Sequence, residues 1–155
     1  MNAKSGSIKA GIFVTIGSIV ALILSFALYF LLFRLLEGMA MGDRQGMDVG
    51  HEPDSLGFVS WLRMGYGIAW ILLCLAVYRS KLPEWFKASI LAGALTTFFA
   101  AFGVQLYETP VIVVAVMIVA IGAALFGLRK MNKKWYHYYA VAISIVAGMF
   151  YLMPY

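Results

Sequence analysis

The chain has 155 residues, 63% of them hydrophobic and 12% charged, with a formal net charge of +5 and one cysteine. Soluble domains carry about a quarter charged residues, so this composition excludes a water-soluble globule. Five spans of about 20 residues would also leave no room for a separate soluble domain. The lone Cys74 excludes an intrachain disulfide, and the cations are divided among short segments instead of forming one arm, which points to anionic lipid and not to nucleic acid.

Five apolar stretches follow one another along the chain. The first, Ala10 to Phe33, is charge-free over 24 residues, well beyond the roughly 7–15 of a signal-peptide core, and is expected to be retained as a signal-anchor helix. At 1.5 Å per residue it reaches about 36 Å, enough to cross a core of about 30 Å with some tilt. A hydrophilic segment, residues 34–55, comes next. It is rich in Gly, Asp and Met, contains Pro53 and is expected to be a loop. The second stretch, Leu56 to Tyr78, is interrupted by Arg63. The third, Ala88 to Tyr107, follows a connection containing Pro83, Trp85 and Phe86. Glu108-Thr109 then predicts a tight hairpin into the fourth stretch, which Pro110 opens and Leu128 closes. The fifth, Trp135 to Tyr155, has tyrosines at both ends, as expected of interfacial aromatic belts.

The cations alternate across these spans. Lys4, Lys9, Arg79, Lys81, Lys87, Arg129, Lys130, Lys133 and Lys134 fall on one side, nine of the twelve in the chain. The other side has Arg34 and Arg44 against Glu37, Asp43, Asp48, Glu52, Asp54 and Glu108. By the positive-inside rule the N-terminus is cytoplasmic and the C-terminus extracytoplasmic. The expected fold is therefore all-α, a single domain over residues 1–155 forming a five-helix membrane bundle. Its spans lie at about 10–33, 56–78, 88–107, 110–128 and 135–155. The cell membrane is the expected location, the inner membrane in a bacterium, with the lipid bilayer as principal partner.

Small residues at four-residue spacing mark the expected packing faces, because they let helix backbones approach closely. Ser89, Gly93, Thr97 and Ala101 form one stripe and Gln105 continues it. Ala140, Ser144 and Gly148 form another, and Gly65 with Ala69, and Gly17 with Ala21, offer shorter ones.

Arg63 is the leading candidate for chemistry. A guanidinium at helix depth costs about 2.5–3.5 kcal/mol on insertion scales unless compensated. It can snorkel to the outer interface, or it can face inward to an ion pair or an anionic substrate group. Gln105, Glu108, Tyr66 and Glu37 are the candidate companions at the same outer level.

The outer loop is the second candidate, because Met39, Met41, Met47 and His51 alternate there with carboxylates. Thioether sulfur suits Cu(I) and imidazole suits copper or zinc. The run from Gly38 to His51, 14 residues, resembles the Met/His-rich segments of copper-handling exported proteins. That resemblance implies extracytoplasmic copper binding by those four side chains; the other reading is a plain acidic surface loop.

His137 is expected to be an aromatic-belt residue bound to lipid headgroups, with proton relay or cofactor ligation as its other reading. It and His51 fall on opposite faces, which argues against a bis-His haem. The chain has no Walker loop, His-Glu-x-x-His helix or Gly-x-Ser-x-Gly elbow, which points away from those enzyme classes. The expected function is transport or channel-type passage of a small solute or ion. The subunit would be homo-oligomeric or bound to a partner membrane subunit; the alternatives are a non-catalytic accessory subunit and a copper-handling protein.

Overall fold

The computed structural model describes residues 3–42, 55–106 and 108–152, and side chains over 8–35, 61–106 and 108–150. The described residues form five α-helices: α1 (Ala3–Gly42), α2 (Ser55–Arg79), α3 (Glu84–Gln105), α4 (Pro110–Lys130) and α5 (Trp135–Leu152). Helices satisfy their backbone groups internally, the requirement for crossing a bilayer. Four of them are long and apolar enough to do so: α1 over Ile8–Leu35, α2 over Trp61–Arg79, α3 and α4. α5 has 18 residues, with described side chains over 135–150, and opens on Trp135-Tyr-His-Tyr-Tyr.

Three boundaries differ by four residues or more from the sequence expectation, the first being the start of α1 at Ala3 instead of Ala10. The first nine residues of the expected loop, 34–42, continue α1. They include Leu35, Leu36, Glu37, Met39, Ala40 and Met41, all favourable in helices, and Gly42 is the last described residue of α1. The third helix begins at Glu84 instead of Ala88, because Pro83 occupies the N-cap position and Trp85 and Phe86 fall in its first turn.

Paired contacts give the helix directions. Ser89 Oγ reaches Val14 O at 3.4 Å and Ser25 Oγ lies 2.8 Å from Thr97 Oγ1, so α1 and α3 are parallel. His137 Nε2 lies 3.1 Å from Glu84 Oε2 and Ser144 Oγ donates to Ala92 O at 3.2 Å, so α5 runs parallel to both. α2 runs opposite, since Tyr66 meets Ser25 while Tyr78 meets His137. α4 turns back from α3 through Leu106–Thr109, a connection closed by Thr109 N–H to Leu106 O. Successive helices thus alternate in direction, and Arg79, Lys87 and the stretch from Arg129 to Lys134 gather at one end of the bundle, the basic end.

α3 is the centre. Its buried face includes Ala88, Ser89, Leu91, Ala92, Gly93, Leu95, Thr96, Thr97, Phe99 and Ala101, and α1, α2 and α5 surround it. A Cβ at Gly93 would come within 2.9 Å of Ala21 Cβ, and one at Gly17 would collide with the Ser89 side chain. Missing side chains are therefore what bring α1 and α3 together. The larger core joins Trp70, Leu95, Phe99, Val113, Met117 and Val141. α4 approaches its neighbours least closely and turns Val111, Val119 and Phe126 outward. Among the described residues no buried side-chain nitrogen or oxygen lacks a hydrogen-bond partner. Ser18, Thr96 and Ser144 all bond to the carbonyl four residues earlier, which satisfies a hydroxyl within its own helix.

Candidate functional site

A cleft of about 200 Å³ opens between α1, α2 and α3 toward the end opposite the basic one. It is lined by Ser25, Phe26 and Tyr29 of α1, Arg63 and Tyr66 of α2, and Thr97, Ala100, Ala101 and Val104 of α3. Helical spacing explains the set: Ser25 and Tyr29, and Thr97 and Ala101, are each four residues apart and share a face. Gly67 lets α2 settle against Phe98 and Ala101 of α3, which brings the preceding turn, with Arg63, over the cleft.

The hydroxyls of Tyr66, Ser25 and Thr97 in this wall are engaged with one another, while that of Tyr29 has no hydrogen-bond partner among the described residues. Tyr66 OH donates to Ser25 O at 2.6 Å, and Ser25 Oγ pairs with Thr97 Oγ1 at 2.8 Å. The Tyr29 and Tyr66 rings meet edge to face with centroids 5.3 Å apart. Arg63, half-buried, has no ion-pair or hydrogen-bond partner among the described residues. The cleft therefore presents one cation and the Tyr29 hydroxyl on an otherwise apolar wall whose other hydroxyls are paired among themselves.

A second polar centre lies at the basic end. Glu84 accepts from Lys133 Nζ at 2.8 and 3.0 Å and from Lys87 Nζ at 3.2 Å, and His137 Nε2 is 3.1 Å from its Oε2. Tyr78 OH lies 2.8 Å from His137 Nδ1. His137 is fully buried and Lys87 nearly so. Local structure builds this node. Pro83 starts α3 with Glu84 in its first turn, where a carboxylate is favoured by the helix dipole. α4 ends in a Schellman motif: Asn132 is left-handed at φ 47°, and Lys133 N–H and Asn132 N–H return to Leu128 O and Arg129 O. That turn delivers Lys133 to Glu84.

The sequence-derived candidates separate in space. Arg63 and Tyr66 share the cleft wall; Gln105 is partly buried and Glu108 exposed, and neither lines the cleft. Glu37, Met39 and Met41 lie on the last turns of α1 with side chains outside the described residues, and Met47 and His51 lie outside them altogether. Among the described residues no group of three or more His, Cys, Asp and Glu could hold a metal.

Of the small residues, Ser89, Gly93, Thr97, Ala101, Ala140, Ser144 and Gly148 are buried at helix seams. Gly65 and Ala69 instead face outward, with nothing within 4 Å of a Cβ at Gly65, and Gly67 makes the contact with α3. His137 is not an interfacial belt residue bound to headgroups: its ring is enclosed between Tyr78, Tyr136 and Glu84. Sequence reasoning missed Glu84. Its signal is that it is the one acidic residue among nine cations on that side, with Lys87 one turn on.

Compared with family models, with curated proteins and with solved structures, the chain has no match.

Proposed function

We propose that this chain is a five-pass protein of the cell membrane, with its N-terminus in the cytoplasm and its C-terminus outside. In this reading it binds a small anionic solute at Arg63 as a transport-type subunit. The observation that carries the binding is the guanidinium of Arg63 on the wall of a cleft, without a counter-ion among the described residues. A membrane-embedded arginine costs about 2.5–3.5 kcal/mol when uncompensated, and a bound anion would offset that cost. The gathering of cations at the far end supports a cleft facing outward. The parallel course of α5 along α3 supports the fifth pass. Leu95, Phe99 and Val141 pack the core on the inner side of the cleft, so we assign the onward path to an oligomer or to a junction with a partner subunit.

The test is flux. In proteoliposomes Arg63→Gln should lower the transmembrane flux of small anions at least about tenfold, the scale of one charge-assisted hydrogen bond. Equal flux in both proteins would end the reading.

A second reading, an accessory subunit of a larger complex, is favoured by the outward Gly65 and Ala69 on α2, which leave a close-approach strip unused within the chain. Replacing both by leucine should then release a co-purifying membrane protein while Arg63→Gln retains it.

A further inference from the structure

We infer that the cleft takes a small apolar monocarboxylate, an aryl or short branched-chain acid, and not a sugar, a polyol or a bare inorganic ion; this rests on the proposed anion-binding role of Arg63. Three features of the wall select that chemistry. The first is hydrogen-bond capacity. Tyr66 OH is committed to the Ser25 carbonyl and Ser25 Oγ to Thr97 Oγ1. Among the described residues that leaves only Arg63 and the Tyr29 hydroxyl to meet a ligand, so one with several hydroxyls would have to break those bonds or bury most of its own groups unpaired, and unpaired buried polar groups are costly.

The second is charge. The guanidinium of Arg63 offers planar paired donors that match a carboxylate oxygen for oxygen. Among the described residues the cleft lining contains no carboxylate to compete for it, and no second cation that would favour a dianion.

The third is shape. Away from Arg63 the lining is Phe26, the Tyr29 ring, Ala100, Ala101 and Val104, and the space is about 200 Å³. An apolar cavity of about 150 Å³ accommodates a benzene ring, so a benzoate-sized body fits with its carboxylate directed at Arg63. Hydrated inorganic anions would leave these apolar side chains facing water and gain nothing from them.

The test uses the full chain in nanodiscs of phosphatidylcholine, with benzoate and 3-methylbutanoate as probes and phosphate, chloride and glucose as comparisons. Binding is followed by calorimetry and by Tyr and Trp fluorescence. Saturable binding of both carboxylates is expected, weakened at least about tenfold by Arg63→Gln and less by Arg63→Lys, which keeps the charge but loses the fork. Val104→Phe, at an exposed lining position outside the core, should also weaken benzoate by filling the space while the helical spectrum is unchanged. Arg63-dependent binding of phosphate or chloride with none of the carboxylates would overturn the ligand class and leave the anion site standing. Arg63-dependent retention of phosphatidylglycerol with no carboxylate binding would assign the cleft to lipid and overturn the proposal. Binding of no anion by folded protein would overturn both the ligand class and the proposed function.

Discussion

Lys133 Nζ stands 2.8 Å from one carboxylate oxygen of Glu84 and 3.0 Å from the other, although 49 residues separate them. One ammonium therefore ties the α4–α5 turn to the first turn of α3, and the same carboxylate also holds Lys87 and His137. The ties are unequal in burial: His137 is fully enclosed, whereas the Glu84 side chain is 35% exposed. Losing Glu84 strands two enclosed partners, whereas losing Lys133 removes one of several donors. Glu84→Ala should lower stability by about 1–3 kcal/mol and Lys133→Ala by about 1 kcal/mol. Denaturation in mixed micelles, run as a double-mutant cycle, checks this. Additive effects would show that the pair contributes nothing.

Asn132 places a left-handed residue, φ 47°, at the end of α4, and the Lys133 N–H to Leu128 O bond depends on it. Glycine adopts this conformation freely, whereas a β-branched residue does not. Asn132→Gly should leave stability unchanged or slightly raised, and Asn132→Val should cost about 1–2 kcal/mol. Because the turn positions Lys133, Asn132→Val should also shrink the measured Glu84–Lys133 coupling. A full-sized coupling in that background would separate the turn from the node.

The α1–α3 seam depends on two absent side chains. At Gly17 a Cβ meets Ser89, whose Oγ is held by Val14 O and Trp85 O and cannot swing away without losing those bonds. At Gly93 it meets Ala21 on the facing backbone. Gly17→Val and Gly93→Val should each cost about 1–3 kcal/mol through overpacking. Gly65→Ala and Gly122→Ala, where nothing lies within 4 Å, should be neutral or stabilising by up to about 1 kcal/mol. Thermal denaturation of the four variants in one detergent is the check, and equal effects at all four positions would refute the seam.

This contrast also explains what could be read before folding. The all-helical class and the apolar spans were legible because a bilayer imposes length and apolarity on each helix separately. The α3 stripe was legible because Ser89, Gly93, Thr97 and Ala101 recur every four residues. On α2 the same logic pointed to Gly65 and Ala69, and the contact falls on Gly67. Lipid and core are equally apolar, so a membrane helix carries little polarity contrast to say which small residue faces inward. The Glu84 node was illegible for another reason: Lys133, His137 and Tyr78 reach it from other helices, and only tertiary structure joins them. Arg63 could be singled out by its burial cost, but its companions Ser25, Tyr29 and Thr97 come from two other helices.

The proposed fifth pass rests on direction. α5 follows α3 in parallel from the His137–Glu84 contact to the packing of Gly148 on Phe99, about 16 Å of shared course at 1.5 Å per residue. If α3 crosses the bilayer, α5 accompanies it over about half of a core of about 30 Å, and its 18 residues reach about 27 Å in all. A reporter fused after Lys134, with α5 removed, should read cytoplasmic, and one fused after Tyr155 should read extracytoplasmic. The aromatic opening of α5 would then lie at the inner interface, where the nine cations place it. Two cytoplasmic readings would leave four passes and make α5 a helix held against α3 by Ser144, His137 and Glu84 without crossing. The cleft would survive that outcome, because its described lining comes from α1, α2 and α3.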